Sequence, residues 1–108
     1  MNFLRSTLLP LAAATVLLAV SAPAFAKDVK VTITNFAFAP VETTIAVGDT
    51  VTFVNGDDTI HSVVADDGSF HSDGLDTDDQ FTQAFAKAGT VAYHCGLHPF
   101  MKGTIIVK

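Results

Sequence analysis

Seven residues near the C-terminus, Cys95-Gly96-Leu97-His98-Pro99-Phe100-Met101, constrain this chain more than any other stretch. They set a thiol, an imidazole and a thioether in the spacing Cys-x2-His-x2-Met. Thiolate and thioether are soft donors that stabilise Cu(I), while imidazole serves either oxidation state. His61 offers a second imidazole far upstream. Two His, one Cys and a weak axial Met make up the donor set of a blue-copper electron-transfer site, with one copper per chain. Any fold of this sequence therefore has to carry His61 to the Cys95 loop. Taken singly, each residue has a plainer explanation, since a lone Cys is often a small buried hydrophobe and a lone Met a core filler. Three of them in one short loop reverse that balance.

Residues 1–26 read as a cleaved secretory signal peptide. Arg5 gives a sparse positive start, Leu8 to Val20 an apolar run broken only by Pro10 and Thr15, and Ala24-Phe25-Ala26 a small-x-small cleavage site before Lys27. The rival, a retained membrane anchor, needs ~20 apolar residues and has fewer here. Export to the periplasm follows, with no membrane insertion after cleavage. Removing 26 residues from 108 leaves Lys27–Lys108, 82 residues, one small domain. All 11 acidic residues fall within it against five lysines, a formal charge of −6. A nucleic-acid partner is disfavoured, because a phosphate backbone demands a basic surface. One Cys makes no internal disulfide, so in so small a domain a metal clip is the available staple.

From Lys27 onward the pattern is strand. Val29, Val31 and Ile33 alternate with Lys30, Thr32 and Thr34, the period of a half-buried strand. Phe36 and Phe38 extend the alternation to Pro40. Further strands are expected over Val41–Val47, Thr50–Val54, Ile60–Ala65 (with His61 near its start), Phe81–Ala86, Thr90–Cys95 and Thr104–Val107, separated by Gly48-Asp49, Asn55-Gly56-Asp57-Asp58 and Lys87-Ala88-Gly89 turns. Asp66–Asp79 holds six Asp, two Gly and two Ser and reads as an irregular surface loop. Seven or eight short strands with no helix predict an all-β Greek-key sandwich. In such a sandwich loops cluster at the ends, so His61 and the Cys95 loop can meet at one pole.

His94 adjoins Cys95 and, on a strand, points to the opposite face, which suits packing or hydrogen bonding rather than ligation. His71 reads as a solvated loop residue, its rival role a weak metal site with Asp73 or Asp76. Met101 is the one thioether left once Met1 departs with the leader.

The run Tyr93-His94-Cys95-x-x-His98-Pro99-Phe100-Met101, with Asn55 six residues before His61, resembles the cupredoxins of the plastocyanin/azurin family, and most of all the amicyanins with their short Cys-x2-His-x2-Met loop. The resemblance covers most of Val29 to Val107. The acidic stretch between His61 and Phe81 and the absence of Trp depart from it. It implies a cupredoxin-like sandwich with copper held by His61, Cys95, His98 and Met101, and an Asn55 side chain bonded to the Cys95 loop. It also implies electron exchange through His98 at an apolar patch formed by Gly96, Leu97, Pro99 and Phe100; the plainer reading has Leu97 and Phe100 close the core, and a mixture is expected, with Phe100 partly covering the copper.

Four functions compete. The first is a periplasmic electron carrier, cycling Cu(II)/Cu(I) between redox partners such as a dehydrogenase or a c-type cytochrome, with a monomer as the default. The second is a copper-binding or delivery protein, disfavoured by a single Met in a closed four-donor set. An enzyme module is disfavoured because only His71 and His94 remain for further coppers. A structural zinc domain is weakest, because zinc takes Cys, His and carboxylate rather than thioether. The acidic loop, with Asp57 and Asp58, is either a solvated face or a surface that steers a basic partner.

Overall fold

The computed structural model describes residues 26–108. The leader expected over 1–26 lies, apart from Ala26, outside the described residues. Eight strands follow: β1 Asp28–Thr34, β2 Ala37–Ala39, β3 Glu42–Ile45, β4 Thr50–Asn55, β5 Val64–Ala65, β6 Gln80–Ala84, β7 Gly89–His94 and β8 Lys102–Val107. They form two four-stranded sheets, β2-β1-β4-β6 and β3-β8-β7-β5. No helix occurs among the described residues. The all-β sandwich is the fold read from the alternation of apolar and polar residues.

That alternation decides the layers. In β1, Val31 and Ile33 are fully buried between exposed or half-buried neighbours, and in β8 Gly103, Ile105 and Val107 point inward. β1 runs parallel to β4 with Val31 opposite Phe53, and β3 parallel to β8, while the other pairs are antiparallel. Phe38, Phe53 and Tyr93 meet edge to face at centroid distances of 4.8 to 6.3 Å, the arrangement that ring quadrupoles favour. Tyr93 reaches across its cross-strand partner Gly103, where a Cβ would overlap the phenol ring. Burial pushes the Tyr93 hydroxyl well above its ordinary pKa.

Two expectations need correction. The Phe36–Phe38 alternation is not one strand. The chain reverses at Asn35-Phe36, and Ala37–Ala39 pairs back on β1 with Thr34 opposite Ala37. The strand expected over Ile60–Ala65 shrinks to Val64–Ala65, because the preceding residues bond to the returning acidic stretch instead of to β7. His61 and Leu75 exchange two backbone hydrogen bonds (3.1 and 2.7 Å), and Ser72 N–H donates to the Val63 carbonyl. The acidic stretch is therefore irregular but anchored, with Phe70, Ser72 and Leu75 buried and its aspartates outside. This anchoring seats His61 at the end of the sandwich where β7 gives way to Cys95.

Candidate metal centre

β7 delivers Cys95 fully buried to the pole of the sandwich. Beyond it the loop is closed by two backbone bonds, Cys95 N–H to the Met101 carbonyl (3.0 Å) and Met101 N–H to the His98 carbonyl (2.9 Å). The loop is thus a compact ring that holds Cys95, His98 and Met101 at fixed separations. His61 comes to it from the other segment, also fully buried. His61 Nδ1 and His98 Nδ1 lie 3.2 Å apart, and each is 3.7 Å from Cys95 Sγ. A triangle of those sides has its centre about 2.1 Å from every corner, close to the ~2.0–2.3 Å of zinc bonds to imidazole and thiolate. One cation fits among three donors that have little reason to crowd together otherwise. Met101 is buried beside them in sequence, at the end of the ring. All four residues expected from the sequence occupy this pole, and His61, Cys95 and His98 are brought together as a donor cluster.

The surroundings hold the donors in a defined state. Ser62 N–H points at Cys95 Sγ over 3.4 Å, and Ser62 Oγ accepts from Gly96 N–H over 2.9 Å. A Cβ on Gly96 would lie 2.8 Å from that hydroxyl, so the loop needs glycine there to approach. On the far side of the His61 ring, Nε2 lies 2.8 Å from Asp57 Oδ2. A carboxylate only accepts, so Nε2 carries the proton and the Nδ1 lone pair faces the centre. Burial works to raise the Asp57 pKa, but the Phe36, His61 and Asn35 donors outweigh it and hold the carboxyl below its ordinary value.

Asn55 does not do what the resemblance implies. Its amide nitrogen donates to the Thr59 and Leu75 carbonyls (2.9 and 2.7 Å), and its oxygen accepts from Asp57 N–H. It ties the turn before His61 to the acidic stretch rather than to the Cys95 loop. Sequence reasoning missed Ser62 and Asp57 as supports. Asp57 carried a visible sign, an acidic residue shortly before a candidate ligand, but the turn reading absorbed it. Nothing in the sequence marks Ser62. His94 faces away and pairs with Asp66 (Nδ1 to Oδ1, 2.6 Å), while His71 is exposed opposite Val64. Leu97 and Phe100 are exposed, at 52% and 69%, rather than closing the core.

Comparison with known proteins decides the family. Residues 7–107 match the cupredoxin-like domain family. This chain belongs to it. The chain is 33% identical over 88 residues to an amicyanin of Paracoccus versutus and 31% identical over 83 residues to one of Paracoccus denitrificans. Those matches cover 77% and 72% of the chain, and 67% and 63% of the two relatives, so the cupredoxin spans about two thirds of their length. The solved Cu(I) form of an amicyanin variant superimposes with a TM-score of 0.69 at 32% identity, covering 74% of this chain and 81% of that one. Within the family the chain is most like amicyanin. Copper, as a single type 1 ion, is the cofactor that this fold and this His, Cys and Met donor set take.

Proposed function

We propose that the chain is a periplasmic blue-copper electron carrier rather than an enzyme, with His61, Cys95, His98 and Met101 as the copper ligands. The convergence of His61 Nδ1, His98 Nδ1 and Cys95 Sγ within 3.7 Å carries the reading. Bound copper supplies a one-electron Cu(II)/Cu(I) couple. Everything else is the work of the chain. His61 and Cys95 are fully buried and each has a second hydrogen-bond partner. Such outer contacts fix the orientation of ligands, so one arrangement serves both oxidation states. His98 is half-buried and gives electrons a way through the protein surface. Leu97, Pro99 and Phe100 surround it with exposed apolar area that a redox partner, a dehydrogenase or a c-type cytochrome, covers on docking.

The exposed Asp66, Asp67, Asp73, Asp76, Asp78 and Asp79 favour a basic partner, since opposite potentials raise the rate of encounter. Signal-peptide cleavage before Lys27 belongs to the same reading. It would leave an α-ammonium at the nitrogen that already donates to Asp49 Oδ1 over 2.9 Å.

A carrier keeps its metal while it passes electrons, and a copper-delivery protein does the reverse. The copper-loaded chain is mixed with a Cu(I) chelator in excess and, separately, with oxidised cytochrome c. Electron transfer complete long before any copper reaches the chelator is the expected result. Copper lost to the chelator before electrons reach the cytochrome would replace the carrier with a delivery protein.

A further inference from the structure

The turn that joins β1 to β2 is built against local preference. Thr34 pairs with Ala37, so Asn35-Phe36 is a two-residue hairpin loop, with φ of 53° and 57°. Turns with both central residues at positive φ favour Asn followed by Gly. Asn35 suits its place. Phe36 does not, because a bulky side chain in the left-handed region is a steric outlier. A turn needed only for reversal has no use for this residue.

Two contacts show what the outlier achieves. The Asp57 carboxylate accepts both turn N–H groups, from Asn35 (2.7 Å) and Phe36 (2.9 Å), and through the same Oδ2 it also accepts from His61 Nε2 (2.8 Å). One carboxylate thus fixes the turn and the ring of a copper ligand together. The Phe36 ring then meets His61 at 5.1 Å and 87°, and His98 at 5.2 Å and 89°, edge to face in both cases. Phe100 flanks His98 as well, at 6.1 Å. His98 is the half-buried imidazole of the pair; among the described residues its ring bonds reach His61 and Cys95, whereas His61 is also held from behind by Asp57. Unfavourable backbone conformations persist where the surrounding structure over-determines them, and they gather at functional sites.

We propose that Phe36 is a positioning residue of the copper site. Although 41% exposed, it wedges against both imidazoles and keeps the His98 ring from rotating out, and the hairpin gives up its preferred glycine to place it there. This inference rests on the ligand set proposed above.

The test compares Phe36→Gly and Phe36→Tyr with the parent chain. Three quantities are read: the denaturant midpoint of the metal-free protein, the Cu(II) electron paramagnetic resonance spectrum, and the rate of copper loss to a chelator. Glycine suits the turn, so the metal-free midpoint of Phe36→Gly should equal or exceed the parent's. Its spectrum should change, and its copper should leave about tenfold or more faster, the scale on which supporting contacts act at metal sites. Phe36→Tyr should restore both copper properties. A Phe36→Gly chain with the parental spectrum and a release rate within about twofold of the parent's, small against that scale, would overturn the proposal. So would a metal-free midpoint that falls in step with copper retention, which is the mark of lost packing alone. A parent chain that gives no blue copper spectrum would instead strike the underlying ligand reading.

Discussion

Replacing Asp57 by Asn tests the link between the fold and the state of the metal site. The two carboxylate oxygens of Asp57 accept three N–H groups: Oδ1 from Asn35, Oδ2 from Phe36 and His61. Asparagine has the same shape but one accepting oxygen. If that oxygen takes the Oδ2 place, the amide NH2 confronts the Asn35 N–H. If it takes the Oδ1 place, the NH2 faces Phe36 and His61. The imidazole can then answer only by accepting at Nε2, which moves its proton to Nδ1, the atom proposed to hold copper. The first arrangement leaves the exposed Asn35 N–H to water, and the second gives up the Phe36 bond and the charge-assisted bond to the part-buried His61 ring, so the metal-free protein should lose no more than about 1–3 kcal/mol. Copper affinity should fall about 10–100-fold, equivalent to about 1.4–2.7 kcal/mol. Denaturant unfolding of the metal-free chain measures the first effect, and competition against a chelator of known affinity measures the second. Binding within about twofold of the parent, well below the expected loss, would refute the supporting role assigned to the Asp57 carboxylate at the His61 ring.

Further outcomes follow from single contacts. Gly103→Ala puts a methyl into the Tyr93 ring and should destabilise the metal-free chain by about 1–3 kcal/mol, as overpacking does; an unchanged unfolding midpoint would contradict this. Gly96→Ala should disturb Ser62 and with it the N–H directed at Cys95 Sγ, shifting the visible absorption of the copper form while leaving overall folding intact. On the acid side, the Lys27 and Ala46 N–H groups hold the Asp49 carboxyl below its ordinary pKa, and the Thr50 and Thr52 hydroxyls do the same for Asp28. Groups lowered on folding contribute stability that is complete above the unfolded value of about 3.9. That stability is lost as pH falls through the folded value. Metal-free stability should therefore decline below about pH 4, and Asp49→Asn should flatten that decline; a slope equal to the parent's would count against it. Leu97→Asp should slow electron transfer to a partner without altering the copper spectrum, and parental kinetics would remove the apolar docking patch.

The architecture was legible where side chains alternate along an uninterrupted strand. Val29 to Ile33 declares one buried face by alternation, while Thr50 to Val54 and Thr104 to Ile106 are marked by their β-branched and aromatic residues, and each lies in an observed strand. Reading failed where a short apolar run had two possible partners. Ile60 to Ala65 is apolar enough for a strand, but Val64 and Ala65 alone pair with β7, while His61, Val63 and Ala65 also bond to Leu75, Ser72 and Phe70. Local periodicity cannot state which neighbour a strand will choose. The Phe36 turn was hidden for another reason, since an aromatic at positive φ contradicts its own propensity and is held by the distant Asp57. The donor residues stood out because thiol, imidazole and thioether within seven residues narrow the chemistry sharply. Their supports did not, because Ser62 and Asp57 acquire meaning only after His61 and Cys95 are brought together across more than thirty residues.

The central claim is that Cys95 and the two imidazoles hold one copper between them. Its most direct test is the visible absorption spectrum of residues 27–108 with one equivalent of Cu(II), before and after ascorbate, beside the same chain carrying Cys95→Ala. The parent should turn intensely blue, bleach on reduction and recover on reoxidation, and Cys95→Ala should give no such band. A parent that binds copper without colour, or a Cys95→Ala chain that keeps the blue band, would contradict the account.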